Sequence, residues 1–188
     1  MLCVTLQTYK RACGGVTGGI SRLWVFDPAD FDFTQAKTDD PYTVVARRAG
    51  AMPATAKMFP IKFQFKEAER TWKQSVKSCS VKYEHEIKAQ LPQLSNDLTV
   101  FLKTLDSAGC CCGLGFVIQH NDGKIFVIGE RYVNANAIPF FEVKMDGSDG
   151  ASGKLYDDFN GSNVVIKGDY TRELYEFTGG ATAIEGFE

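Results

Sequence analysis

The chain has 188 residues, a formal net charge of −2 and 23% charged residues. Its basic residues are not gathered into one segment, which gives specific duplex-DNA binding little electrostatic support. No apolar run approaches the ~20 residues that cross a bilayer, and no basic leader followed by an apolar stretch marks a signal peptide. A 44% hydrophobic share in a chain of this length supports a substantial core, and 12% aromatics, with 14 phenylalanines, lean toward β-structure. Six cysteines without a secretion signal read as reduced thiols of a protein made in the cytoplasm.

Residues 1–19 form a glycine-punctuated arm. A strand is predicted over Ile20–Phe26, ended by Asp27-Pro28. Residues 28–59 read as a long loop or insertion around one short strand, Tyr42–Ala46. So long a connection is uncommon inside a compact domain unless it binds something. Its apolar side chains Phe31, Phe33, Tyr42, Val44, Val45 and Met52 need cover, which makes them candidates for contact with another subunit.

Alternation follows: Ile61, Phe63 and Phe65 against Lys62, Gln64 and Lys66. A second run sets Val81, Tyr83, His85, Ile87, Ala89 and Leu91 on one face, and Lys82, Glu84, Glu86, Lys88 and Gln90 on the other. Period two sustained over this run predicts one long strand. His85 falls on the apolar face and is expected as a hydrogen-bonded core histidine. Pro92 ends the strand and the period changes. Leu94, Leu98, Phe101, Leu102 and Leu105 recur at helical spacing, predicting one amphipathic helix over about 93–107, with Ser95 or Asn96 as cap and Gly109 as stop.

Cys110, Cys111 and Cys112 are consecutive, and neighbours on an extended chain point to opposite faces. They lack the paired Cys-x2-4-Cys spacing of a metal site, so they are expected to be buried small hydrophobes. Phe116–His120 and Lys124–Ile128 flank Asn121-Asp122-Gly123, where Asp-Gly supplies the positive φ of a hairpin turn, with His120 solvated beside it. A strand over Phe140–Met145, a flexible Asp146–Lys154 stretch, and strands over Asn163–Lys167 and Leu174–Phe177 complete the chain. The glycine of Asp146–Gly150 is misplaced for a calcium loop, and no glutamate occupies its twelfth position. Strands, one helix, then strands predict a single mostly β domain over 1–188, an antiparallel β-sandwich or barrel with one flanking helix.

No P-loop, dinucleotide fingerprint or Gly-x-Ser-x-Gly elbow is present. A Cys–His nucleophilic pair has no third group to orient it. The expectation is no catalytic residue, metal or cofactor, and a protein that works by assembling.

The opening ACGGVTGGISRLWVFDPADF resembles the start of phage tail structural proteins, and the closing SGKLYDDFNGSNVVIKGDYTRELYEF resembles the last segment of tail tube proteins. The order of strands, helix and hairpin between them is also similar to that family. The resemblance implies a β-sandwich with a flanking helix, shared with the tubes of contractile injection machines and type VI secretion. It implies a virion protein of the tail that forms stacked homohexameric rings and conducts DNA non-specifically, with tape measure, terminator and baseplate proteins as partners and no membrane anchor. Pooled sheets in such a ring would turn Lys82, Glu84, Glu86 and Lys88 toward the lumen or solvent. A terminator or baseplate ring of the same fold, a β-sandwich ligand-binding module and a small Cys/His enzyme are the alternatives.

Overall fold

The computed structural model describes residues 18–51, 56–63, 67–77, 80–111, 113–139, 143–152 and 160–188. In chain order the elements are β1 (Ile20–Phe26), β2 (Phe31–Gln35), β3 (Tyr42–Arg47), β4 (Phe59–Pro60), β5 (Ala68–Lys77) and β6 (Ser80–Pro92). Helix α1 (Asn96–Cys111) follows, then β7 (Gly115–His120), β8 (Ile125–Ile128), β9 (Tyr132–Val133), β10 (Asn136–Ala137), β11 (Val143–Ala151), β12 (Gly161–Tyr170) and α2 (Ala181–Glu185). The fold is mostly β, with a helix flanking a sandwich, as the sequence leads one to expect.

The strands form three sheets: a central one ordered β4-β1-β7-β8, a small one ordered β10-β9-β2-β3, and a large one ordered β11-β12-β6-β5. The central sheet is apolar on both faces. Leu23, Phe116, Ile118 and Ile128 join Ile87, Ala89, Leu91, Val164 and Ile166 of the large sheet and Leu105 of α1 in one core. Trp24, Phe26, Val117, Ile125 and Val127 face the other way, onto Phe31, Phe33, Tyr42 and Val45 of the small sheet. Burial on both sides explains why β1 and β7 read as nearly continuous apolar runs.

Phe31–Gln35 and Tyr42–Arg47 pair as β2 and β3, so the expected loop of 28–59 is for much of its length a second sheet. Its signal was the short Phe-Asp-Phe alternation, in which Phe31 and Phe33 turn inward. Met52 and the arm up to residue 17 lie outside the described residues.

Helix α1 begins where expected, the Ser95 hydroxyl accepting the Leu98 N–H at 3.1 Å. It runs through Gly109 rather than stopping there, and a Cβ at that position would sit 3.3 Å from the Lys144 Cβ of β11. The glycine serves a close helix–strand approach, and the left-handed residue is Gly113, at φ +74°. The backbones of Cys110 and Cys111 therefore belong to the last turn of a helix. The expectation of buried, reduced thiols falls outside the described residues and side chains.

The β7–β8 hairpin is as predicted: Gly123 has φ +86°, and Asp122 Oδ1 accepts the Lys124 N–H at 3.1 Å. The Asp146–Ala151 stretch, expected to be flexible, is strand, paired with β12 across a bulge at Met145/Gly147. Residues 174–177 make only isolated bridges, Glu176 to Phe126 and Phe177 to Tyr42, and the short α2 was not anticipated.

One carboxylate ties the three sheets together. Glu130, just after β8, is 1% exposed. It accepts the Tyr42 hydroxyl of β3 at 2.9 Å and the Tyr170 hydroxyl of β12 at 3.2 Å, and pairs with Arg172. Burial, and then the Glu130 charge, push both phenols above their ordinary value. The Arg172 guanidinium is also stacked on Tyr175, 3.6 Å from the ring centre.

Candidate assembly surface

The large sheet is built on β6, whose period-two pattern sorts its side chains into two faces. His85, Ile87, Ala89 and Leu91 are buried, while Lys82, Glu84 and Lys88 are exposed and Glu86 is half-buried. Directly opposed residues share a face in an antiparallel ladder. The pairs Thr71–Glu86, Lys73–Glu84, Lys167–Glu86 and Asp169–Glu84 therefore extend the polar face across β5 and β12.

Charges of both signs interlock on that face. Lys82 Nζ reaches Glu84 at 3.0 Å and Asp169 at 2.9 Å. Lys88 reaches Glu86 at 2.8 Å, which also lies 3.5 Å from Lys167, and Lys167 reaches Asp146 of β11 at 2.7 Å. Ion pairs this exposed are screened by solvent and add little, so the ladder does not explain why the fold is stable. It leaves a wide face with no surplus of positive charge, hollowed by two depressions of about 240 and 470 Å³.

The opposite face of the β5–β6 pair changes character along its length. Near Ala68 and Ala89 it is sealed against the central sheet. Farther along, Trp72 and Val76 of β5 are exposed. Where the face emerges, His85 is 1% exposed, stacked on Tyr83 with ring centres 6.2 Å apart and edge-on to Tyr170 at 5.6 Å. It is a core histidine as expected, with no side-chain hydrogen-bond partner on either ring nitrogen among the described residues. Glu173 Oε1 stands 4.0 Å from Nδ1 and accepts instead from Arg70 Nη2 at 3.2 Å.

Burial lowers the His85 pKa below its ordinary 6.5; the Glu173 charge and a hydrogen bond with the Arg172 backbone partly oppose this, and the Arg70 and Arg172 charges reinforce it. His120, expected to be solvated, is half-buried 5.1 Å from the Phe126 ring and is lowered likewise, by burial and then by Arg70. A histidine depressed in the folded state contributes stability that is full above pH 6.5 and is lost as pH falls toward the folded pKa, because the unfolded chain takes the proton first. The urea midpoint should therefore fall between pH 7.5 and 5, and His85→Phe should make that fall smaller. An equal fall in the variant would assign the acid sensitivity elsewhere.

The sheet ends in the edge strands β5 and β11, and the first residues of β11 are covered from within, the Leu114 N–H donating to the Val143 carbonyl at 3.0 Å and α1 packing beside Lys144. No described strand pairs with the outer side of β5 or of β11. The strands alternate in direction from β11 through β12 and β6 to β5, so the two edge strands run oppositely. They are also matched in length, at 10 and 9 residues.

The subunit-contact candidates fare differently. Phe31, Phe33, Tyr42 and Val45 are covered by the chain's own core, so their side chains are not left over for a neighbour. The cover they need comes from the central sheet and, for Phe31, from the Phe187 ring 5.3 Å away. Val44 alone of the described candidates is exposed, at 52%. Lys82, Glu84, Glu86 and Lys88 do lie together on one accessible face. The sequence missed β5, whose residues AERTWKQSVK show no apolar face because most of it is not covered by the body of the protein.

The chain matches no family model, no curated protein and no solved structure. Among the described residues, no group of His, Cys, Asp and Glu is arranged to hold a metal ion, and no helix is long and apolar enough to cross a membrane.

Proposed function

We propose that the chain is a self-assembling structural subunit of a phage tail tube. Its large sheets join edge to edge into a closed ring whose bore is lined by the face bearing Lys82, Glu84, Glu86 and Lys88. The observation that carries this reading is the pair of oppositely directed edge strands, neither of which pairs with another described strand on its outer side. With an even number of alternating strands, β5 of one copy beside β11 of the next is antiparallel, so the ladder continues without a break in pattern. Such a contact uses two different surfaces. Under rotational symmetry it closes into a ring in which neither edge of the large sheet remains free to aggregate.

The resemblance of the opening and closing segments to tail tube proteins supports the same reading and supplies its particulars: homohexameric rings stacked into a tail, DNA passing through, and tape measure, terminator and baseplate proteins as neighbours. The interlocked charges suit a conduit, since a bore lined only by cations would hold phosphates rather than pass them.

Negative-stain microscopy and sedimentation of the concentrated purified protein test the proposal. Rings or tubes with a central bore are expected. A species that stays monomeric at every concentration would overturn it.

A further inference from the structure

We propose that Arg70, His85, His120 and Glu173 form an acid-released latch, which holds the edge strand β5 against the body of the protein until the two histidines take up protons. The strand has few inward anchors. Opposed residues share a face, so Ala68, Arg70 and Trp72 of β5 lie with Ala89, Ile87 and His85 of β6 on the side that meets the central sheet. Ala68 is buried and the Arg70 side chain is 8% exposed, whereas every residue from Thr71 to Val76 is exposed. Past Ala68, Arg70 is therefore the inward tie of the strand.

The Arg70 guanidinium lies 4.7 Å from the centre of the Phe126 ring of β8, and its Nη2 donates to Glu173 Oε1 at 3.2 Å. His120, at the end of β7, packs on the same Phe126 ring, centres 5.1 Å apart. His85 Nδ1 stands 4.0 Å from the same Glu173 oxygen. Arg70 thus shares an aromatic ring with one histidine and a carboxylate with the other, and these are the chain's two histidines. Arg70 Nη1, His120 Nε2 and Glu173 Oε2 are buried without a hydrogen-bond partner among the described residues, and His85 has none from a side chain. Water would satisfy such groups, so the closed cluster resists opening less than a fully bonded one.

The groups facing His85 are Arg70 of β5, Tyr83 of its own strand, Tyr170 of β12, and Arg172 and Glu173 beyond it. Those facing His120 are Arg70, Asp122 and Lys124. Arg172 is matched by Glu130, and Asp122 and Lys124 act on His120 in opposite senses. At neutral pH this leaves one cation, Arg70, against one carboxylate, Glu173. Protonating both histidines sets three cations against that carboxylate, and withdrawing Arg70 with β5 relieves the excess. Burial first, and then Arg70, hold both histidines below 6.5, so the open form takes protons more readily than the closed one. Closure is therefore fully favoured above pH 6.5. As pH falls, the opening equilibrium rises by up to about tenfold per pH unit for each histidine. The latch acts within one chain and does not depend on assembly; where copies join through β5, acid would undo that joint.

Amide hydrogen exchange of the full chain at low concentration, corrected for the intrinsic pH dependence of exchange, tests this. Between pH 7.5 and 5.5 the protection of the Thr71–Val76 amides should fall roughly tenfold or more, while α1 and β7 keep theirs. His85→Gln combined with His120→Gln should hold β5 protection level across the same range. Arg70→Gln keeps a donor for Glu173 but removes the charge, and should leave β5 weakly protected at every pH with a shallower pH dependence. Protection of β5 that does not change with pH in the wild type would overturn the proposal. So would β5 exchanging only together with α1 and β7, or an undiminished slope in the double-histidine variant. If that variant does not fold, Arg70→Gln decides alone, and a pH dependence as steep as that of the wild type would refute the latch.

Discussion

Replacing Glu130 by alanine is expected to lower the free energy of unfolding by about 3–5 kcal/mol, the usual cost of removing one partner of a buried charge pair. The loss is large because the carboxylate is the shared acceptor of Tyr42, Tyr170 and Arg172, which come from the small sheet, the large sheet and the segment after β12. Without it, two buried phenols lose their acceptor and a half-buried guanidinium is left without its counter-charge. Glu130→Gln keeps an acceptor for the phenols but not the charge, and should fall between wild type and alanine. Urea denaturation at neutral pH reads all three. A loss below roughly 1 kcal/mol for the alanine variant would mean that solvent replaces the network and that the three sheets are not held through it.

The second large effect concerns the charged face. In Glu84→Lys/Glu86→Lys, Lys82 loses its 3.0 Å partner and Lys88 its 2.8 Å partner, leaving Asp169, Asp146 and Glu69 among a majority of cations. The cost to stability should be small, because exposed ion pairs are screened by solvent, and the edge strands β5 and β11 are untouched. The gain in affinity for phosphates should be large and strongly dependent on salt, with log K falling by about 0.9 per decade of salt for each phosphate neutralised. Assemblies of the wild type should release short duplex DNA at physiological salt, and those of the variant should retain it. If the face lines the bore, the retained DNA should resist added nuclease. Digestion of that DNA would place the face on the outside, and equal release by both proteins would remove its role as a DNA-facing surface.

The legible parts of this fold are those where one face of an element is buried and the other is wet. Strand β6 and the β7–β8 hairpin announced themselves by period two and by Asp122-Gly123, and α1 by its leucine spacing. Strand β5 was invisible because Trp72 through Val76 are exposed whichever way they point, so no alternation is imposed on them. Strand β11 was hidden by Asp146, Gly147, Asp149 and Gly150, poor strand formers that nevertheless pair because β12 offers a complete ladder. The Glu130 cluster has no local pattern, its partners Tyr42 and Tyr170 lying 88 and 40 residues away. That Lys82, Glu84, Glu86 and Lys88 share one face was legible because they sit at alternate positions of the long strand. Phe31, Phe33, Tyr42 and Val45 are covered within the chain because an apolar side chain in an irregular-looking stretch can be buried by a sheet the stretch itself helps to build.

The pairing of β1 has a consequence for the order of events during synthesis. Its partner is β7, and the Ser21 hydroxyl donates to the Gln119 carbonyl 98 residues away. Until β7 has emerged from the ribosome, Trp24 and Phe26 have only one layer to pack against, and at about 5–20 residues per second that wait lasts several seconds. Tyr42 waits longer, since its N–H donates to the Glu176 carbonyl. A chain wired over such distances folds late and slowly. During that interval nascent copies on neighbouring ribosomes would present unpaired strands to one another. If the chain assembles through the edges of its large sheet, completing the central sheet before those edges meet a neighbour is what would separate ordered growth from aggregation, and a holding chaperone acting in that window would raise the yield of correctly folded subunits.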